Sequence, residues 1–541
     1  MRILSHESHT NAPMTRLATA LALGTLCLTA SCKDFLDVNT NPNAPQSVSA
    51  NLYLAPMIHW LVTSPQYDGR FVGRYTQQWA LANGATSLST WDRMGYDPGS
   101  DNGAEQWRDV YWSLGQGLVD MINKSRAEQR WDVLGVGEFM QAWGWQVLTD
   151  LHGEIIIKEA FDPTRSTFDY DSQEFAYSEV QRLLDSAIVH LSRTDGAVDA
   201  TYLGKTDHLY NGDRTKWLKL AHGLLAMSLN HFSNKSNYNP RLVMAEVDSS
   251  FTSNADDAVF QYPAQDPGFA DYNFEGRTRN NVTSYRQTQF VVHLMDGTDF
   301  GAVDPRMSRM LAPSADGQFR GVDPAVPGYG AMTSTQQPFN FFGYAGTGGL
   351  GLPSRYIFGD KNRFPFMTYS QLQFVKAEAA FRAGDKATAL AAYTNGISSH
   401  IDFVNARNAE ISSQSATPIS ASEKAAFLSD PRIVPTDPNK LTLTDIMSQK
   451  YIAEWAWGHN ELWMDMRRYH YTDLDPATGQ EVYPGFTPPS TTILYPYNSG
   501  KLVQRIRPRY NSEYVWNLAA LAVIGGTAAD YHTKPMWITQ P

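Results

Sequence analysis

The stretch YSQLQFVKAEAAFRAGDKATALAAYTNGISSH, residues 369–400, decides how the chain is read. Its first half places apolar residues at helical spacing on two faces: Leu372, Val375 and Ala379 on one, Phe374, Ala377 and Phe381 on the other. A helix that is apolar on two sides needs neighbours on two sides. Gly384 stops this helix, and Asp385 supplies the acceptor that opens a second one. The pair reads as one helical hairpin stacked between others.

The small residues around Phe381 fit a tetratricopeptide-like unit; the alternative is a plain hairpin in a bundle. Working outward, Val136, Phe139, Met140, Trp143, Val147, Leu148 and Leu151 form one apolar helical stripe. Gly135, Gly137 and Gly144 within it weaken a helix and so point to close helix–helix contact. Residues 175–191 form a second amphipathic helix, opened by Asp171-Ser172-Gln173-Glu174 with acidic groups at the positive end of its dipole. Residues 217–232 form a third. Residues 444–470 read as one further helix, kinked at Gly458, whose Glu461, Asp465, Arg467 and Arg468 make helix-surface and inter-helix ion pairs. Between helices lie long segments rich in glycine, proline and aromatics, 83–107, 261–290 and 312–356. Loops of such length are functional or disordered, and the aromatic content favours order. The expected fold is mainly α, a tetratricopeptide-like helical-hairpin scaffold with long irregular ligand-binding insertions.

With 541 residues, 42% hydrophobic and 18% charged, the chain has the composition of a globular protein with a sizeable core. A formal net charge of -11 argues against nucleic acid and anionic lipid surfaces as partners. The two cysteines, Cys27 and Cys32, lie near the N-terminus, which leaves no disulfide or thiolate metal site for the folded body. From Met14, a candidate start, MTRLATALALGTLCLTASC gives a basic Arg16, an apolar run from Leu17 to Leu28, and small residues before Cys32. This is a secretory signal, too short for a transmembrane helix. The residues before Cys32 resemble a bacterial lipobox, although Thr29 stands where leucine is usual and Leu28 falls one place early. Lipidation of Cys32 is therefore expected, against the alternative of an ordinary signal with an incidental cysteine. No other apolar run is long enough to span a bilayer, so membrane attachment rests on that anchor. The expected plan is a signal peptide over 1–31, a lipidated extended tether over 32–48, and a single helical domain over 49–541. Lys33-Asp34 resembles the signal that sends Bacteroidetes lipoproteins to the cell surface.

Several segments occur in a familiar order: DFLDVNTNPNAP after the cysteine, LTDLHGEIIIKEAFDP (148–163), YDSQEFAYSEVQRLLDSAI (170–188), NGDRTKWLKLAHGL (211–224), KAEAAFRAG (376–384), QKYIAEWAWGHNELWMDMRR (449–468) and RIRPRYNSEYVWN (505–517). Together they resemble the SusD/RagB-like nutrient-binding lipoproteins of Bacteroidetes over essentially the whole mature chain. The resemblance implies a helical scaffold on the outer leaflet of the outer membrane, lying as a lid over a TonB-dependent, SusC-like β-barrel transporter. It also implies capture of oligosaccharide or peptide by aromatic and polar side chains on loops, with hand-over to that transporter.

Three aromatic loop clusters are candidates for the ligand site, since flat rings suit sugar faces or peptide side chains and flanking polar groups orient them. The first is Trp91 and Tyr96, with Asp92, Arg93 and Asn102. The second is Phe269, Tyr272 and Phe274, with Arg277 and Asn280. The third is Phe341, Phe342 and Tyr344, and Tyr285 and Arg286 are further candidates. The opposing reading of each is a ring that anchors its loop. Asp97, Asp101 and Glu105 do not follow the EF-hand pattern, because Gly99 occupies a ligand position, and read as solvated carboxylates. His222 with His231, and His459 with His470, lack zinc spacing. No G-x-S-x-G, P-loop or dinucleotide fingerprint occurs in its required context. No catalytic residue, metal or cofactor is assigned. A glycosidase needs only two carboxylates, which leave no sequence signature, so a surface glycan hydrolase is the rival reading and an adhesive or structural lipoprotein the third.

Overall fold

A computed structural model describes residues 48–82, 89–263, 272–324, 328–343, 354–411 and 416–541. Cys32, the signal and nearly all of the tether lie outside these residues. Ala50–Pro541 fold as one compact unit. Its principal helices are α1 (Leu54–Tyr75), α2 (Gly115–Ala127), α3 (Trp131–His152), α4 (Gln173–Ser192), α5 (Arg214–Asn230), α6 (Pro240–Asp248), α7 (Tyr369–Arg382), α8 (Lys386–Ala409), α9 (Leu443–Glu454) and α10 (His459–Arg468).

Successive helices pair as hairpins, α3 on α4, α5 on α6 and α7 on α8, while α7 also packs against α5, α6 and α9. This is the tetratricopeptide-like stacking that the two apolar faces of residues 369–383 demand. Polar caps set the ends: Ser172 Oγ accepts from Phe175 N, Thr368 Oγ1 from Gln371 N, and Asp385 Oδ1 from Thr388 N. Gly384 closes α7 at φ +80°. The glycines of α3 mark close approaches. A Cβ on Gly135 would lie 2.6 Å from Leu191 Cγ, and one on Gly137 2.8 Å from Ile122 Cγ1. The apolar stripe on α3 proves too narrow, because every residue but Gln141 is buried. α3 is a central helix wrapped on all sides.

Residues 444–470 are two helices rather than one kinked helix. The break falls at Trp455–Gly458, with Ala456 at φ +72°. The segment after α1 causes it: Gln78 Oε1 accepts from Ala456 N, and Gln78 O accepts from Trp455 Nε1. A distant loop thus takes the Ala456 N–H that a continuous helix would have bonded internally, and pins the Trp455 ring beside it. The charges of α10 are also not surface charges. All four are buried: Glu461, Asp465 and Arg468 make inter-helix ion pairs with Lys450 of α9 and Glu378 of α7, while Arg467 donates to the carbonyls of Trp463 and Gln504.

Two small antiparallel sheets stitch the insertions to the scaffold. β1 (Trp79–Leu81) pairs with β3 (Tyr285–Gln287), with Ala80 opposite Arg286. β2 (Ala258–Gln261) pairs with β4 (Arg363–Met367), with a bulge at Ala258/Val259. Among the described residues no helix is long and apolar enough to cross a membrane.

Residues 109–114 form a π-helical turn. Its first residue, Asp109, is fully buried, and burial pushes its carboxyl up to about 8, against the hydrogen bond from Ser113. A raised folded value means that Asp109 contributes stability fully below the unfolded value near 3.8 and loses it as pH rises through about 8. Asp109→Asn is expected to escape that decline. In melts at two pH values, wild type should lose about 2 kcal/mol more than the variant between pH 6 and pH 9.

Candidate functional site

The 89–104 segment is folded around its own aromatic residue. Trp91 sits on a 3-10 turn (Trp91–Arg93) with its ring against Phe71 and Tyr75 of α1, centroids 4.8 and 5.3 Å apart. Its Nε1 donates to Asp97 Oδ2 at 2.8 Å, and Asn102 Nδ2 donates to the same oxygen at 3.0 Å. Gly103, at φ +79°, has no room for a side chain, since a Cβ would lie 2.8 Å from Trp91 Cη2. The flanking charges are spent on anchoring. Asp92 pairs with Arg74 at 2.6 Å, and the Arg93 guanidinium donates to the carbonyls of Ile493 and Leu494. Asp101 fastens the loop to the C-terminal segment: it accepts from Arg509 NH2 at 2.6 Å and from Asn511 Nδ2 at 2.7 Å.

These ties bring two distant stretches together around a cavity of about 210 Å³. Trp91 is its floor, not a free platform, at 2% exposure. The accessible rings are Tyr96, half-buried, and Tyr510, which stacks on Tyr514 with centroids 5.6 Å apart at 16°. Tyr96 lies 4.8 Å from the His532 ring and carries the Arg507 guanidinium 4.2 Å from its centroid. Arg507 is spent elsewhere: NH2 donates to Ala528 O and Ala529 O, NH1 to the Tyr514 hydroxyl. Burial lowers the His532 imidazole to about 3, reinforced by Arg507, so the ring is neutral and bonded through Nε2 to Asn498 Oδ1. Burial likewise raises the Tyr96 and Tyr514 phenols, which stay protonated. The cavity therefore offers aromatic faces, neutral hydroxyls and the Asn102 amide, beside an Arg507 held by carbonyls and a hydroxyl and an Asp97 whose Oδ2 is taken by Trp91 and Asn102. Such a surface suits a neutral polyhydroxylated ligand with flat apolar faces.

Of the first sequence cluster, the structure brings Trp91, Tyr96 and Asn102 to this cavity and leaves Arg93 behind it as a clamp. The other candidates lie elsewhere. Phe274 is buried against Tyr67, with Arg70 and Arg279 over its ring, and Tyr285 is buried on β3 against Trp79. Arg286 is buried and donates to the carbonyls of Pro338, Thr283 and Tyr285. Phe341 stacks on Phe358 at 4.5 Å, and Phe342 is fully buried beside it. Tyr272 and Arg277 are half-buried at the edge of the second insertion, and Asn280 is exposed. Phe269 and Tyr344 lie outside the described residues. The residues that sequence reasoning did not single out are Arg507, Tyr510, Tyr514 and His532; the aromatic and basic alternation of RIRPRYNSEYVWN was the available signal. Among the described residues no group of three or more His, Cys, Asp or Glu is placed to hold a metal ion.

Comparison with known proteins agrees with this architecture. Crystal structures of a SusD/RagB family protein from Bacteroides thetaiotaomicron (21% identity, TM-score 0.65, 91% of this chain and 99% of that one) and of a SusD homologue from Bacteroides fragilis (19%, 0.69, 91% and 100%) share the fold. So does a chitin-binding SusD homologue from Flavobacterium johnsoniae (20%, 0.64, 91% and 98%). At these identities the likeness is one of fold. No curated protein matches the chain by sequence. Residues 42–496 match the SusD-like family model described as starch-binding associating with outer membrane. The chain belongs to the SusD/RagB-like family of helical, outer-membrane-associated binding proteins.

Proposed function

We propose that this chain is a surface-exposed lipoprotein, anchored through Cys32, that captures an oligosaccharide and delivers it to a TonB-dependent, SusC-like β-barrel transporter. The signal over 1–31 is removed, residues 32–48 form the tether, and 49–541 act as one binding unit. The protein binds and releases its ligand without transforming it and uses no cofactor. The observation that carries the reading is the tyrosine-lined cavity between residues 96–102 and 505–514, whose Asp97 and Arg507 are hydrogen-bonded within the fold and whose open rings are Tyr96 and Tyr510. The family's starch-binding description and the chitin-binding neighbour support a glycan over a peptide.

The test is calorimetry of maltooligosaccharides, chitooligosaccharides and short peptides against wild type, Tyr96→Ala and Tyr510→Ala. Each variant is expected to weaken glycan binding about tenfold, the ~1.4 kcal/mol of one lost ring face. Undiminished glycan affinity in both variants refutes this site. Binding of peptides alone replaces the ligand class, and turnover of a bound glycan replaces binding with hydrolysis.

A further inference from the structure

Behind the wall formed by residues 507–513 lies a second hollow, larger than the tyrosine cavity at about 420 Å³. Its sides are Trp107, Tyr111, Trp112, Phe161 and Phe168. Trp112 stands 73% exposed at the mouth. The Tyr111 hydroxyl is spent within the fold, donating to Ile156 O and accepting from Ile156 N. The interior is thus apolar and aromatic, unlike the hydroxyl-rich cavity next door.

Two features mark the hollow as built. Its walls come from both π-helical turns of the described residues, Asp109–Leu114 and Tyr510–Tyr514, and such turns gather at functional sites. Phe161 is held at φ +66°, a conformation that a bulky side chain rarely adopts, and its ring faces this space.

The charged groups lining the hollow are Glu513, Arg108 and Arg509. Glu513 has one oxygen engaged: its Oε2 accepts from the Tyr170 hydroxyl at 2.5 Å and from Asn517 Nδ2 at 3.0 Å. Arg108 and Arg509 remain. Arg108 engages Glu105 through NH1 and lies 4.9 Å from the Trp112 centroid; Arg509 engages Asp101 through NH2. A guanidinium carries five donors, so each has N–H groups beyond those ion pairs. An apolar space walled by aromatic rings, with two arginines among its lining, fits a planar ring that ends in an anion.

We propose that this hollow is a separate binding site for a small aromatic carboxylate, its ring between Trp107, Phe161 and Phe168 and its carboxylate against Arg108 and Arg509. The site stands apart from the tyrosine cavity. The probe is 3-phenylpropionate, titrated against the whole protein by calorimetry, with 3-phenylpropionamide as the neutral comparator. The acid is expected to bind about tenfold tighter than the amide, as a charge-assisted contact requires. Arg108→Gln should remove that preference while leaving amide binding unchanged. Trp112→Ala, at a position too exposed to threaten the fold, should weaken both ligands about fivefold. Tyr96→Ala should change neither, which separates this site from the glycan cavity. Equal affinity for acid and amide, or no saturable binding of the acid up to about 10 mM, overturns the proposal.

Discussion

Replacing Lys450 by methionine is expected to destabilise the protein by about 3–5 kcal/mol, the largest loss available from one side chain of α9. Lys450 is fully buried and its Nζ lies 2.8 Å from Asp465 Oδ2, 3.0 Å from Glu461 Oε1 and 3.9 Å from Glu454 Oε1. Burial works against the ammonium, yet Asp465, Glu461 and Glu454 outweigh it and hold its pKa above the usual lysine value. The same network runs on through Glu461 to His231 at 2.9 Å, and through Asp465 and Arg468 to Glu378, which Arg468 grips at 2.8 and 2.9 Å. Helices α7, α9 and α10 are therefore joined by charges without water between them. Methionine matches the length of the aliphatic stem but leaves Glu461 and Asp465 short of their shared cation. They would be driven toward the protonated form, so the loss should be smaller at pH 5 than at pH 8. Lys424→Met is the comparison: that lysine meets Asp402 at 2.7 Å on the surface, and removing it should change stability by no more than ~1 kcal/mol. Guanidinium unfolding at both pH values checks this, and a Lys450→Met variant as stable as Lys424→Met would mean that the buried carboxylates are already neutral.

What could be read in the sequence, and what could not, follows from how local each cause is. The 369–400 hairpin was legible because its periodicity, its stop at Gly384 and its cap at Asp385 all lie inside thirty-two consecutive residues. The break in 444–470 was not, because its cause is Gln78, 378 residues before Ala456. The burial of the α10 charges was hidden for the same reason: beyond its neighbour α9, it is conferred by α7 and the turn at His231, neither of which is adjacent in sequence. The binding cavity divides likewise. Trp91, Tyr96 and Asn102 are one loop and were found as one cluster. Tyr510 and Arg507 reach that loop across 410 residues, through Asp101, and no spacing rule reports such a meeting. Of the two readings the sequence leaves for Trp91, platform or loop anchor, the structure takes the anchor, because α1 presents Phe71 and Tyr75 to the ring.

Asp207→Ala is expected to cost about 4 kcal/mol or more, although Asp207 lines neither of the two cavities described above. Its carboxylate is fully buried. Oδ1 accepts from Leu209 N and Tyr210 N, both at 3.0 Å, and Oδ2 accepts from Gly212 N and from Trp217 Nε1, both at 2.8 Å. One side chain thus shapes the turn before α5 and fixes the first aromatic of that helix, which is fully buried with its ring edge-on to Phe139 and Tyr210. Alanine would strand four donors, three of them backbone, and each buried orphan costs ~1–3 kcal/mol. Six residues on, Asp213 makes a superficially similar bond, capping α5 by accepting from Thr215 N and Lys216 N, but it is exposed. Water can replace it there, and Asp213→Ala should cost only about 1 kcal/mol. Denaturant midpoints of the two variants decide the matter, and similar losses would show that the Asp207 turn is hydrated. The contrast explains why the family could be recognised although its ligand could not. A side chain such as Asp207 is held in place by the scaffold, because its loss strands buried donors. The rings proposed to meet a ligand sit at half-buried or exposed positions, Tyr96 and Tyr510, where stability places no comparable demand on the side chain.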